Sequence, residues 1–420
     1  MKRILVYAFI ALYPIMPDYF RIFGFPSGSF LACLFVFLSF LVNKKLLTVR
    51  KEPFVLCFIS SVLICSPYIY NREYSTAVRL FIEYFFVILI LCEQFINEKE
   101  IINAFEIIVS VSLITCFFAF FEFLTKTSLF TFLYSGVQTD LSPALQTRGS
   151  FVRSEITFGH AITYAIYLGF CTLLNSYVIA KTKKRKYIII YIVQLFALLT
   201  TISRAPIITF VISQAIILYM FGFKKFINIV IKILVIFSLM LFVVSIILPN
   251  FYDSTQNIIN IVLGVFSKES ALKAGDFENA DAFKYRIELL KVLPSFINDS
   301  WLVGHGASLS FNFRMLGHTY RSIDNAYLLI LLRYGMIGLI GYFLLPFVLV
   351  VKCMKNFNKS QVAMVFFVVI IFYLLNLFSV AQMAEYKIWI IILSLGISLS
   401  MHWKSKVVVN NSTVMNTKQL

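Results

Sequence analysis

Apolar runs long enough to cross a bilayer recur along almost the whole chain, broken by short clusters of lysine and arginine. A transmembrane helix needs about 20 consecutive apolar residues. Runs of this kind centre near Phe9, Val36, Ser61, Val87, Leu113, Ile166, Ile192, Ser213, Leu239, Gly335, Ile370 and Ile392. With 60% of residues hydrophobic and 14% charged, no soluble core could hide so much apolar surface. The expected fold is an all-α, polytopic integral membrane protein with about 12 transmembrane helices. The 46 Phe and 22 Tyr fit lipid-facing bulk and interfacial belts. Pro14 and Pro206 are expected to mark kinks or span ends.

The basic clusters set an expected orientation. Lys2-Arg3, Lys44-Lys45 with Arg50-Lys51, Lys181 to Lys186, Lys224-Lys225, Lys352 with Lys355 and Lys359, and Lys404 with Lys406 occupy alternate connections. All fall on one side if both termini are cytoplasmic. The start, MKRILVYAFIALYPIMP, shows no small-residue cleavage site and reads as a first span. On this layout residues 1–249 hold spans one to nine, with a smaller external loop at about 125–155. Residues 250–322 form a large external loop, 323–403 hold spans ten to twelve, and 404–420 form a cytoplasmic tail. In the large loop Phe283, Ile287, Leu290 and Leu293 recur on one helical face before Pro294. That spacing predicts a short amphipathic helix, lying on the membrane or capping a cavity.

Several function classes are excluded. The net charge of +17 lies in short clusters between apolar runs, so nucleic acid is not an expected partner. The seven cysteines sit in or near spans without a CxxC pair, which argues against disulfides and a zinc site. There is no P-loop, no HExxH and no GxSxG. The external face lacks the clustered carboxylates of a metal-dependent enzyme, and no cofactor or metal is expected.

Charge inside a span needs a partner or a function. Arg79 with Glu83, and Glu122 with Lys126, are spaced to pair on one helix face. The external arginines point further. Arg148 and Arg153 flank GSFV, Arg204 sits in TTISRAP, Arg286 lies on the loop helix, and Arg314 and Arg321 precede a polar motif. Arg333 follows that motif inside the next span. Arginine on this side is normally depleted. Its gathering at the membrane edge points to an anionic partner, and its planar fork suits a pyrophosphate. In HTYRSIDN, His318 and Asp324 could serve as a general base for a hydroxyl, with Asn325 and then Tyr327 beside them. Asp324 could equally cap the following helix. The glycines around His305 in VGHGA read as a turn that permits close backbone approach.

These residues, in order, resemble the O-antigen polymerase and ligase superfamily of bacterial envelopes. The matching positions are Ser203-Arg204, Arg286, Trp301, Gly304-His305-Gly306, Asp324-Asn325-Ala326-Tyr327-Leu328 and Gly335-Met336-Ile337-Gly338. The resemblance implies a fold like the GT-C membrane glycosyltransferases, and metal-independent, inverting glycosyl transfer at the periplasmic face of the bacterial inner membrane. It implies a donor glycan on undecaprenyl pyrophosphate within membrane lipid, and a possible chain-length regulator and flippase as partners. Arg204 and Arg286 would neutralise the departing pyrophosphate. Asp324, His318 and Arg286 would form the catalytic set, and Arg204, Arg148, Arg153, Arg314, Arg321, Asn325, Tyr327 and His305 would bind pyrophosphate or glycan. In ligases the residue before the Asn is usually His, whereas here it is Asp324. That departure favours an O-antigen polymerase, with a ligase or a lipid-linked oligosaccharide flippase as alternatives.

Overall fold

The computed structural model describes residues 2–42, 51–95, 97–130, 133, 145–148, 151–220, 222, 300–306, 309, 313–315, 318–320, 323–357, 360–380 and 387–401. These form a helical bundle with three two-stranded hairpins. The helices are α1 (Lys2–Leu12), α2 (Ser27–Val42), α3 (Lys51–Tyr70), α4 (Tyr74–Gln94), α5 (Glu98–Thr125), α6 (Ala161–Thr182), α7 (Arg185–Thr200), α8 (Arg204–Met220), α9 (Ala326–Lys355), α10 (Gln361–Asn376) and α11 (Lys387–Met401). The hairpin strands are β1 (Arg21–Ile22) with β2 (Phe25–Pro26), β3 (Thr147–Arg148) with β4 (Phe151–Val152), and β5 (Phe313–Met315) with β6 (His318–Tyr320).

Six of the described helices, α3 to α6, α9 and α10, are long and apolar enough to cross a membrane. Shorter apolar helices cover α1, α2, α8 and α11. Every expected span centre except Leu239 falls within a described helix, and Leu239 lies outside the described residues. The expected amphipathic helix over 283–293 also lies outside them. Pro14 sits in the single 3-10 turn that ends α1, and Pro206 in the first turn of α8, where a missing N–H costs nothing.

The periphery is apolar. Phe37, Leu41, Phe117, Ile189, Val211 and Phe347 are exposed, an arrangement suited to lipid and costly in water. Inside, α6 is the most enclosed of the six long helices. It approaches α10 so closely at Gly169 that a Cβ there would lie 2.3 Å from Phe372. Polar side chains join the helices where apolar packing alone would not fix their register. Asn175 donates to Gln194 at 2.9 Å, and Gln194 donates to Ser112 at 2.6 Å. Ser176 donates to Gln214 at 2.9 Å.

One end of the bundle is basic. Arg3 pairs with Glu100, Lys181 with Glu98, Lys184 with Glu106 and Lys352 with Glu52. The seven cysteines are free thiols, six of them buried.

Candidate functional site

Arg153, Arg204, His305, Asn325 and Tyr327 belong to helix ends and turns on the side of the bundle away from those ion pairs. Arg153 follows β4. It is buried, with Nε donating to the Thr201 carbonyl at 3.0 Å and Nη2 to Ser203 Oγ at 2.9 Å. Nη1 donates to Gln146 Oε1 at 3.3 Å. Ser154 adds two bonds, from its N–H to the Thr200 carbonyl and from its hydroxyl to the Ala119 carbonyl. Residues 153–156 therefore strap the tight α7–α8 turn, whose next residue is the half-buried Arg204 at the start of α8.

The strap is itself held from α5. Glu122 turns inward, and its Oε2 accepts the N–H groups of Glu155 at 3.1 Å and Ile156 at 2.9 Å. Its Oε1 accepts the Ser128 hydroxyl. The pairing expected between Glu122 and Lys126 is thus replaced. Lys126 is the left-handed C-cap of α5, so it leaves the helix face that carries Glu122. Glu155 is buried beside Glu122. Burial first, then the Glu122 charge, push its carboxyl up to about 7, with Arg153 opposing them. Arg79 does act electrostatically on Glu83, as their spacing predicts, and Glu83 also accepts the Ser29 hydroxyl at 2.8 Å.

The start of α9 lies against the end of α10. The cap is Asn325, whose Oδ1 accepts the Leu328 N–H at 3.1 Å. The capping role open to Asp324 falls one residue later, and Asp324 is exposed. Tyr327 donates its hydroxyl to the Leu374 carbonyl at 2.8 Å and stacks on Phe343. Two residues on, Asn376 accepts the hydroxyl of Thr209 in α8 at 3.1 Å. The last turn of α10 therefore anchors both the SRAP segment and the DNAY segment, which are far apart in sequence.

Helix α9 is broken at Gly335 (φ 63°, ψ −169°). In a continuous helix the N–H groups of Met336 and Ile337 would bond to the carbonyls of Leu332 and Arg333. Instead they bond to the carbonyls of Trp301 and Leu302 at 3.0 and 3.1 Å. The freed Leu332 and Arg333 carbonyls accept the N–H groups of His305 and Gly306 at 3.0 and 2.8 Å. The loop exchanges partners with the helix and leaves none of these four helix groups unpaired. A Cβ at Gly335 would lie 2.2 Å from the Leu302 carbonyl oxygen, and one at Gly304 2.4 Å from the Arg333 backbone. This is the close approach expected of the VGHG glycines, and it fixes His305 beside the helix turn that bears Arg333.

Around this clasp lies a tyrosine cluster from α3, α4 and α9. Tyr68 stacks on Tyr334 with centroids 4.4 Å apart, its hydroxyl meets that of Tyr342 at 3.1 Å, and Tyr84 packs edge-on against Tyr342. The charges of Arg333 and Glu73 reach Tyr334, and that of Arg79 reaches Tyr342. Sequence reasoning missed this cluster. The three-residue spacing of Gly338 and Gly341 was the available signal, because it lets α3 approach α9 at Pro67 and Ile64. In the hairpins, Arg148 pairs in register with Phe151, Arg314 with Thr319 and His318 with Met315. Arg286 and Arg321 lie outside the described residues.

Residues 189–343 match a family model described as O-antigen ligase. The matched stretch runs from α7 past the α9 break and contains Arg204, the clasp loop and Asp324-Asn325. The match bears out the resemblance to the O-antigen polymerase and ligase superfamily. No curated protein matches the chain.

Proposed function

We propose, from a chain whose residues 189–343 match the O-antigen ligase family, that it is an O-antigen polymerase of the bacterial inner membrane. It joins repeat units carried on undecaprenyl pyrophosphate, at the periplasmic face and without a metal ion. In this reading a hydroxyl of the acceptor unit attacks the anomeric carbon of the donor glycan with inversion. The bond from that carbon to the phosphate oxygen breaks, and the lipid pyrophosphate departs. The hydroxyl proton passes to a base, Asp324 or His318. Arg204, with Arg286, stabilises the charge that grows on the leaving group. Arg148, Arg314, Arg321, Asn325, Tyr327 and His305 contact glycan or phosphate. Arg153 bonds to the Arg204 turn and acts there through Arg204.

The supporting observation is the common anchorage of the Arg204 and Asp324 segments on the last turn of α10, within or beside the family-matched region. Such an arrangement lets an arginine and a carboxylate serve one substrate. Asp324 is also exposed, and the side chain that caps α9 is that of Asn325.

The ligase reading is favoured by the family's own description. In that case the acceptor is lipid A core. Lipopolysaccharide from a strain lacking the gene separates the two. Core bearing one repeat unit supports the polymerase. Bare core with long lipid-linked polymer supports the ligase, and bare core with only single lipid-linked units supports the flippase alternative. Asp324→Asn tests the base. With capping left to Asn325, loss of a general base is expected to slow turnover about 10²-fold or more at normal protein level. Full activity would leave His318 as the candidate.

A further inference from the structure

Two β-branched residues near Arg204 have left-handed backbones, Ile156 at φ 46° and Ile202 at φ 48°. Side chains branched at Cβ rarely adopt that conformation, and it persists only where surroundings over-determine it. Here the surroundings are specific. Ile202 stands between Thr201 and Ser203, and the buried Arg153 guanidinium grips both neighbours at 3.0 and 2.9 Å. Ser154 holds Thr200, and Glu122 holds the strap at Glu155 and Ile156. The next residue in the chain after this locked turn is Arg204.

We propose that residues 153–156 are a positioning strap, which holds Ile202 in its left-handed conformation and thereby aims Arg204 at the anionic leaving group. This rests on the reading of Arg204 given above. Arg153 touches no substrate in this account. It is a positioning residue, and the fork shape of its guanidinium matters, because two separate acceptors flank Ile202.

The test uses full-length protein in membranes that contain the native lipid-linked repeat units. Turnover and apparent KM for those units are measured for Arg153→Lys, Ile202→Gly, Arg204→Ala and the double variant Arg153→Lys/Arg204→Ala, each at matched protein level. Arg153→Lys is expected to lower turnover at least tenfold with little change in KM, because the leaving group gains charge only in the transition state. Ile202→Gly is expected to keep turnover near the wild-type level, since glycine takes the left-handed conformation without strain. The double variant is expected to be no slower than Arg204→Ala alone, because a residue acting through Arg204 has nothing left to aim. Losses that multiply in the double variant would overturn the proposal, as would wild-type turnover in Arg153→Lys. If Arg204→Ala itself keeps wild-type turnover, the pyrophosphate reading fails and the strap loses its role with it. Loss in Arg204→Ala beside full activity in Arg153→Lys sinks the strap alone.

Discussion

The two ends of the bundle use charge in opposite ways. At the basic end, Arg3, Lys181 and Lys184 reach carboxylates through side chains that are at least one-third exposed. At the other end, Arg153, Glu122 and Glu155 are buried, and Arg153 and Glu122 bond to main-chain groups. At that end the backbone is also irregular, with Ile156, Ile202, Gly304, Gly306 and Gly335 all at positive φ. Exposed ion pairs contribute little and tolerate change, so the first end serves to anchor. Buried charges that organise backbone are expensive unless their partners are fixed, so the second end is built for one geometry.

The largest expected effect comes from Gly335→Ala. The added Cβ would meet the Leu302 backbone at 2.2 Å, which cannot yield as a side-chain tip would. A loss of about 3 kcal/mol or more is expected, read as a lower midpoint in thermal unfolding of the purified protein. An unchanged midpoint would mean that the clasp is not part of the folded state.

Glu155→Gln sharpens the contrast through pH. The wild-type carboxyl titrates near 7 in the fold, above its ordinary 4.5, so the folded protein keeps a proton that the unfolded chain releases. Stability should therefore fall as pH rises from about 4.5 to about 7 and then level off. The Gln variant should lack this slope and gain about 1–3 kcal/mol over wild type above pH 7. Unfolding midpoints across that range check it, and identical slopes in the two proteins would contradict it.

The smallest effect is expected at the basic end. Lys184→Ala should change stability by less than about 0.5 kcal/mol, because Lys184 is more than half exposed in its pair with Glu106. A loss comparable to that of Gly335→Ala would erase the distinction between the ends.

Much of this architecture was legible in the sequence, and the failures have local causes. Helices were readable because runs of apolar residues need no partner to be recognised, and the glycines around His305 did announce a close approach. The register of a cap was not readable. Asp324 and Asn325 both suit the position, and only the fold shows that Asn325 reaches Leu328. The spacing rule misled at Glu122, because it assumes that the helix continues, whereas α5 ends with Lys126 itself in the left-handed region. The break at Gly335 was hidden for a different reason. Its hydrogen bonds come from Trp301 to Gly306, about thirty residues earlier, and no local pattern encodes an exchange over that distance. Arg153 looked like another external arginine, and its burial against Thr201 and Ser203 is a tertiary fact.

The most direct test of the account compares polymer formation by membranes carrying Arg204→Ala with membranes carrying Lys184→Ala, on native lipid-linked repeat units at equal protein level. The account predicts a fall of about 10²–10³-fold for the first, the usual cost of losing one group that stabilises developing charge, and a wild-type rate for the second. Equal rates in the two membranes would contradict it, because the end that carries Arg204 would then be no more a site than the end that carries the lysines.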